Sequence, residues 1–214
     1  KDFTGTATII TGTISNASQN TTTDMPSDLN VTEVSDNSMK VSANNGAVSY
    51  QFAYRKTGEG TWHLLNESVT AGTAVSIEGL ERNTSYILAV RKSAKTGYDA
   101  SDLKEMQTVL TAKTKLNGLV DYVKVVNGVE TAPKVGVAEV NQTYKATYHK
   151  GSYPQTAADD TAGHWQWYAG DTPIKGETSA TYKVAPTNGS PEISVRYIVN
   201  DASDFSGEVI GRVG

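Results

Sequence analysis

The chain has 214 residues, with 19 Lys and Arg against 23 Asp and Glu, which gives a formal net charge of −4 at pH 7. A mildly acidic chain has no electrostatic reason to bind nucleic acid or anionic lipid. No apolar run approaches the roughly 20 residues that a membrane-spanning helix needs. Cysteine is absent, which excludes disulfides, zinc–thiolate sites and cysteine nucleophiles.

Residue choice favours strands over helices. The chain has 21 Val against 9 Leu, and Ser and Thr together make up 45 of its 214 residues. β-Branched residues suit a pleated, half-buried surface, and the apolar residues alternate with period 2 in short segments. No segment favours a helix beyond a single turn at 100–107.

In chain order, the pattern predicts a leading strand over 3–14 and a polar linker over 15–27. Two series of seven short strands follow, separated by a boundary at 113–118. The first series is predicted at 29–34, 39–43, 48–55, 61–65, 74–77, 85–91 and 106–112. The second is predicted at 119–126, 135–137, 143–149, 164–169, 180–184, 192–199 and 205–213.

Short strands spaced by turn signals predict β-sandwiches. We therefore expect an all-β chain with two tandem immunoglobulin-like or fibronectin type III-like sandwiches. The predicted segments are a leading strand and linker over 1–26, a first sandwich over 27–114 and a second sandwich over 115–214.

The start of the chain repeats the end of the second sandwich. KDFTGTA at 1–7 matches SDFSGEV at 203–209, with an offset of 202 residues. We therefore expect the leading strand to be the end of a preceding repeat in an array of alternating domains. A strand over 1–14 would have open edges and could pair with another molecule.

The segment IEGLERNTSYILAV at 77–90 resembles the corner between strands E and F of fibronectin type III domains. Leu80 and Tyr86 have the six-residue spacing of the tyrosine corner in that family. The resemblance covers residues 27–114. The Trp that is common in strand B of the family is missing, and Met39, Val41 and Ala43 occupy that strand.

The segment WQWYAGDTPIKGETSATY at 165–182 resembles a bacterial immunoglobulin-like repeat. In that family a Trp-bearing strand C turns at Gly-Asp, Ile-x-Gly follows, and Thr-Tyr opens strand E. ISVRY at 193–197 and Phe205-x-Gly207 match its last strands, so the resemblance covers about 118–214. It implies no catalytic residues and a role as spacer, adhesion module or module appended to secreted enzymes.

Three aromatic residues are candidate ligand contacts: Trp62, Tyr98 and Tyr168. Exposed aromatic rings are enriched in binding hot spots. The alternative for Trp62 is an edge position that covers the flank of the sandwich. Trp165 and Trp167 lie two residues apart, so they face the same side of a strand, and we expect both in the core, with Tyr168 on the opposite face.

No catalytic, cofactor or metal site is predicted. The histidines are His63, His149 and His164, and their spacing does not suit a transition metal. Pairs such as Asp99 with Asp102 and Asp201 with Asp204 match no recognised calcium loop and are expected in solvated turns. Nucleophile-elbow, Walker and dinucleotide motifs are also missing from the sequence.

The sequence therefore favours a non-catalytic segment of a bacterial cell-surface or secreted protein that acts as a spacer or binding repeat. Its expected location is extracellular or on the cell surface, and its expected partners are a glycan or a host protein. A carbohydrate-binding module of a secreted glycoside hydrolase is the alternative. A third hypothesis is strand pairing in trans through residues 1–14.

Overall fold

The computed structural model describes residues 18–19, 25–43, 49–65, 68–96, 98–134, 136, 138–151, 163–186 and 192–213. Within these ranges every element of regular secondary structure is a β-strand, so the all-β fold class is confirmed. The predicted leading strand over 1–14 lies outside the described residues.

The strands before the 113–118 boundary are β1 (Ser18–Gln19), β2 (Leu29–Thr32), β3 (Ser38–Ala43), β4 (Ser49–Lys56), β5 (His63–Leu64), β6 (Val69–Thr70), β7 (Val75–Glu78), β8 (Ser85–Lys92), β9 (Tyr98–Asp99) and β10 (Lys104–Leu110). The remaining strands are β11 (Thr114–Lys115), β12 (Gly118–Val126), β13 (Val129–Thr131), β14 (Thr143–Lys150), β15 (Gly163–Ala169), β16 (Thr172–Pro173), β17 (Thr181–Lys183), β18 (Ile193–Val199), β19 (Phe205–Ser206) and β20 (Glu208–Arg212).

The first sandwich has two sheets with an immunoglobulin-type division of strands. One sheet has the order β2-β3-β7, and the other has the order β10-β8-β4-β5, with β6 also paired to β4. Strands β4 and β8 are antiparallel, from the pair Tyr50 and Lys92 to the pair Lys56 and Tyr86. Of the six longer strands β2, β3, β4, β7, β8 and β10, the first, second and fourth thus share one sheet, and the third, fifth and sixth share the other.

The second sandwich repeats this division. Its sheets have the orders β13-β12-β14-β17 and β16-β15-β18-β20. In addition, β11 pairs with β19 in parallel, so the start of this sandwich lies beside its last segment. Both halves are therefore immunoglobulin-like or fibronectin type III-like sandwiches, in agreement with the predicted fold class.

The chain divides into two compact units that do not follow the sequence linearly. The second unit consists of Glu33–Met39, Glu78–Thr84 and Leu110–Gly214, and the first holds the remainder. The second unit thus includes two turns that come from the predicted first sandwich. The boundaries 1–26, 27–114 and 115–214 stay predictions.

The core of the first sandwich follows the period-2 alternation of its long strands. Tyr50 and Phe52 in β4 are buried, as are Leu88 and Val90 in β8, on one face of the sheet. On the other face Gln51 and Arg91 are half-buried, although the small side chains of Ala53 and Ala89 are buried there too. Burying an apolar side chain of this size contributes about 1.5 to 3 kcal/mol. The alternation therefore determines which face of the β4–β8 sheet turns inward.

The core of the second sandwich forms around Trp167, which is fully buried with Tyr144 and Val195. The indole Nε1 of Trp167 donates a hydrogen bond to the carbonyl of Ser179 at 2.9 Å. Trp165 is half-buried against the same cluster, with its ring 5.0 Å from that of Tyr197. The prediction that both tryptophans face the core is confirmed.

Several strand boundaries differ from the predictions. The run at 205–213 is broken into β19 and β20 at Gly207, which has φ +89° and so leaves the strand conformation. The prediction of a single helical turn at 100–107 is wrong, because strand β10 begins at Lys104. Strand β13 was not predicted, and of the run predicted at 135–137 only Gly136 is described, in a turn.

Candidate functional site

Trp62 lies between the turn after β4 and the short strand β5. Gly58 in that turn has φ +93°, a conformation that favours glycine. The ring of Trp62 is half-buried, and the guanidinium carbon of Arg55 lies 4.6 Å from its centroid. Arg55 therefore covers one face of the Trp62 ring.

Arg55 is itself held in place from two sides. Its Nη2 pairs with Glu105 Oε1 on β10 at 2.6 Å, and its Nη1 donates to the carbonyl of Glu59 at 3.2 Å. The second contact joins the β4 end to the turn that precedes Trp62. Arg55 thus contacts both the Trp62 ring and the turn that precedes it.

His63 and Tyr54 extend the aromatic group beside Trp62. The His63 ring stacks on Tyr54 at 5.1 Å with an interplanar angle of 23°. The Tyr54 ring also meets that of Tyr86 edge-on at 6.0 Å. Burial raises the pKa of the Tyr54 hydroxyl, and the neighbouring Tyr86 raises it further. Tyr54 therefore remains a neutral phenol at physiological pH.

Tyr98 is an exposed ring in the connection from β8 to β10. It retains 44% of its accessible surface, and the Lys95 Nζ lies 4.7 Å from its centroid. The two residues also exchange backbone hydrogen bonds of 3.1 and 2.8 Å. Their closed turn holds the ammonium group over one face of the ring.

Tyr168 lies on the outer face of β15, opposite to Trp167, as predicted from alternation. Its ring is half-buried, and the guanidinium carbon of Arg196 lies 4.0 Å from its centroid. Arg196 also pairs with Glu208 Oε1 at 2.9 Å. The outer faces of β15, β18 and β20 are thus joined through Arg196.

The three candidate rings lie in different parts of the described structure and do not share contacts there. Trp62 precedes β5 at one edge of its sheet, Tyr98 lies in the β8–β10 connection, and Tyr168 belongs to the second unit. Each ring has a cation over one face: Arg55, Lys95 or Arg196 respectively. A cation over a ring is attracted by its quadrupole, so a ligand that stacks on that face must displace it.

These cations were not among the candidate residues chosen from the sequence. Arg196 lies opposite Gln166, two positions from Tyr168 on the same strand face, so only the β15–β18 register reveals the contact. Arg55 lies near Trp62 because the chain turns back after β4. The alternation of apolar and polar residues predicts only which face of a strand a side chain lies on. To identify its neighbour on the next strand, one must also know the register in which the two strands pair.

Among the described residues, each histidine has a different polar neighbour. His63 Nε2 lies 3.8 Å from Glu59 Oε2, His149 Nε2 lies 3.3 Å from Asp121 Oδ2, and His164 Nδ1 lies 2.8 Å from Asn200 Oδ1. In the part of the chain that the structure describes, His, Asp and Glu form no group of three or more that could hold a metal ion. The same residues include no helix long and apolar enough to cross a bilayer.

Comparison with known proteins gives a likeness of fold only. No protein-family model matches the chain, and no match is found among curated proteins. A solved two-domain fibronectin type III segment of chicken tenascin is similar over 87% of this chain and 97% of that chain. The identity is 14% and the TM-score is 0.48.

Proposed function

We propose that the chain is a non-catalytic structural and adhesive segment of a bacterial cell-surface or secreted multidomain protein, where it acts as a spacer or binding repeat. The main support is the division of strands, which is the same in both sandwiches. Folds of this kind serve many functions, so the role must be argued from the surface of the molecule.

The state of the candidate rings supports a spacer more than a sugar platform. Trp62, Tyr98 and Tyr168 each have a cation within 4.0 to 4.7 Å of the ring centroid. In two of these contacts the cation also pairs with a carboxylate, Glu105 or Glu208. The rings therefore have stabilising contacts within the chain that do not require a ligand.

A carbohydrate-binding accessory module is the second candidate function. It is favoured by the apolar surface around β5, where the half-buried Trp62 precedes the exposed His63 and Leu64. An aromatic ring beside an exposed aliphatic side chain could contact the apolar face of a sugar. For this function the second face of Trp62 has to be open.

The test is binding of the folded chain to a broad array of glycans and extracellular-matrix proteins. The Trp62→Ala and Leu64→Ala variants are measured beside it. We expect no saturable binding to a glycan. Saturable glycan binding that Trp62→Ala abolishes would overturn the spacer assignment and favour the carbohydrate-binding module. Binding to a matrix protein that both variants retain would support the adhesive role.

Strand pairing in trans through residues 1–14 is tested separately by sedimentation over a range of protein concentrations. If the segment pairs between molecules, a concentration-dependent dimer forms and is lost when residues 1–14 are deleted. A monomer at all concentrations would contradict this hypothesis.

A further inference from the structure

A buried contact between an arginine and a phenylalanine lies inside the second compact unit. The guanidinium carbon of Arg82 is 4.7 Å from the ring centroid of Phe205, and the two residues retain only 9% and 6% of their accessible surface. Arg82 belongs to the Glu78–Thr84 segment of that unit, and Phe205 lies 123 residues later in β19. A desolvated contact of this kind is much stronger than an exposed one.

Polar contacts surround this pair. Asn83 Nδ2 donates to Asp204 Oδ1 at 3.1 Å, and the backbone N–H of Thr114 donates to the carbonyl of Asp204 at 3.1 Å. We call Arg82, Asn83, Thr114, Asp204 and Phe205 the corner cluster. It joins the corner between β7 and β8 to the turn around β19.

The corner that carries Arg82 and Asn83 is held by local hydrogen bonds that do not involve Phe205. Asn83 has φ +46°, in the left-handed region that Asn tolerates, and its N–H donates to the carbonyl of Ala112 at 3.0 Å. The Thr111 hydroxyl donates to the carbonyl of Glu81 at 2.6 Å and accepts from the N–H of Thr84 at 2.9 Å. The side chains of the corner therefore project from a rigid backbone.

The segment that follows, residues 113–116, is held by hydrogen bonds of Lys113, Thr114 and Leu116. The Lys113 ammonium donates to the carbonyl of Asp201 at 2.5 Å, and the Thr114 hydroxyl donates to Asp36 Oδ2 at 2.5 Å. The N–H of Leu116 donates to the carbonyl of Ser206 at 2.8 Å. Strand β11 is thus docked on β19 by backbone bonds at both of its ends.

Each residue of the turn at 204–207 has a distinct part in this arrangement. Asp204 accepts from the corner, Phe205 lies under Arg82, Ser206 supplies only its carbonyl among these bonds, and Gly207 adopts φ +89°. The same pattern of Asp, Phe, a hydroxyl residue and Gly stands at positions 2–5 of the sequence. Of the four positions that the two segments share, 204, 205 and 206 make these contacts, and Gly207 supplies the left-handed backbone after them.

We propose that the sequence Asp-Phe-Ser/Thr-Gly is a docking motif that receives an Arg-Asn corner and locks the segment 113–116 against it. Within the second unit, the motif thus fixes the corner at 78–84 and the segment 113–116 against each other. This inference rests on the corner cluster and does not depend on the proposed function, since it makes no statement about an external ligand.

The test is residue-resolved hydrogen exchange of the full chain. The Arg82→Ala variant should speed exchange of the Thr114 and Leu116 amides at least ten-fold, while amides of β8 and β18 keep their wild-type rates. Trypsin cleavage after Lys113 and Lys115 should accelerate in parallel. The matched control is Lys95→Ala, which removes a cation at the same 4.7 Å from the exposed Tyr98 ring and should change these rates less than two-fold.

Two further variants separate docking from folding. Asn83→Gly keeps the left-handed backbone and removes only the side-chain donor to Asp204, so exchange at Thr114 should rise without loss of the fold. Ser206→Thr reproduces the residue found at position 4 and should keep the wild-type rates. The proposal is wrong if Arg82→Ala and Asn83→Gly leave Thr114 and Leu116 within two-fold of wild type. It is equally wrong if those amides accelerate only together with the core strands.

Discussion

The guanidinium carbon of Arg196 lies 4.0 Å from the centroid of the Tyr168 ring on the outer face of the second sandwich. Arg196 is paired with Gln166 in the β15–β18 register and reaches the ring diagonally. Its Nη1 also pairs with Glu208 Oε1 at 2.9 Å. A single side chain thus joins three adjacent strands of one sheet.

The first prediction concerns the strength of this contact. A double-mutant cycle of Arg196→Ala and Tyr168→Ala should give a coupling free energy of about 0.5 to 1 kcal/mol, because the pair is only partly desolvated. The measurement is urea unfolding of the four proteins. Arg212→Ala is the control, since its pair with Glu192 is exposed to solvent and should contribute little to stability. A coupling near zero would show that Arg196 merely lies beside the ring.

The second prediction compares two tryptophans that differ in burial. Trp167→Ala should lower the free energy of unfolding by about 3 to 5 kcal/mol, because it removes a fully buried indole and leaves the Ser179 carbonyl without its donor. That loss is a large part of the stability of a small domain. Trp62→Ala, at a half-buried position, should cost about 1 kcal/mol or less. Equal losses in urea unfolding would contradict the burial that the structure gives.

The long strands could be predicted from the sequence because their pattern is local. In β4 the apolar Tyr50 and Phe52 alternate with polar residues, whereas β8 is apolar throughout 86–90 and has its large buried side chains at alternate positions. The same pattern predicted the core positions of Trp165 and Trp167. Two-residue strands such as β6, β11 and β16 carry no such pattern, since their assignment depends on a neighbouring strand that the sequence alone does not place.

The environment of the candidate site could be predicted only in part. Residue type identified Trp62, Tyr98 and Tyr168, but the arginines that cover Trp62 and Tyr168 come from strands β4 and β18, and Lys95 reaches Tyr98 through a turn that the sequence alone does not close. The contact of Arg82 with Phe205 is harder still, since it joins residues 123 positions apart. Its one local signal was the repeat of Asp-Phe-Ser/Thr-Gly, which indicated a recurring unit and gave no information about what it binds. Whether the three rings bind a ligand stays a prediction.

The third prediction concerns acid destabilisation. Hydrogen bonds from Lys124 and from Lys134 hold the pKa of the Glu139 carboxyl below its ordinary value. Because the folded pKa is lowered, the ionised carboxylate stabilises the fold above its unfolded pKa of about 4.3. This stabilisation is lost as the pH falls through the folded pKa.

The measurement is the urea midpoint of the wild type and Glu139→Gln between pH about 7 and pH about 3. The wild type should be the more stable at neutral pH, and the two midpoints should converge as the carboxylate is protonated. Lys134→Ala should narrow the difference at neutral pH, since it removes one of the two donors. A difference that stays constant with pH would show that the glutamate acts by packing alone.

The fourth prediction uses two glycines that differ in the space around them. A Cβ at Gly211 in β20 would lie 2.7 Å from Val120 Cγ1 and 3.0 Å from the Val120 carbonyl oxygen. A Cβ at Gly60 would meet nothing within 4 Å, and Gly60 does not have a left-handed φ.

Gly211→Ala should therefore destabilise the second sandwich by about 1 to 3 kcal/mol, because β12 and β20 must separate at this point. Gly60→Ala should be neutral or stabilise by up to about 1 kcal/mol, since Ala lowers the entropy of the unfolded chain. Thermal and urea unfolding distinguish the two cases, and a neutral Gly211→Ala would mean that β12 can move away from β20 at little cost.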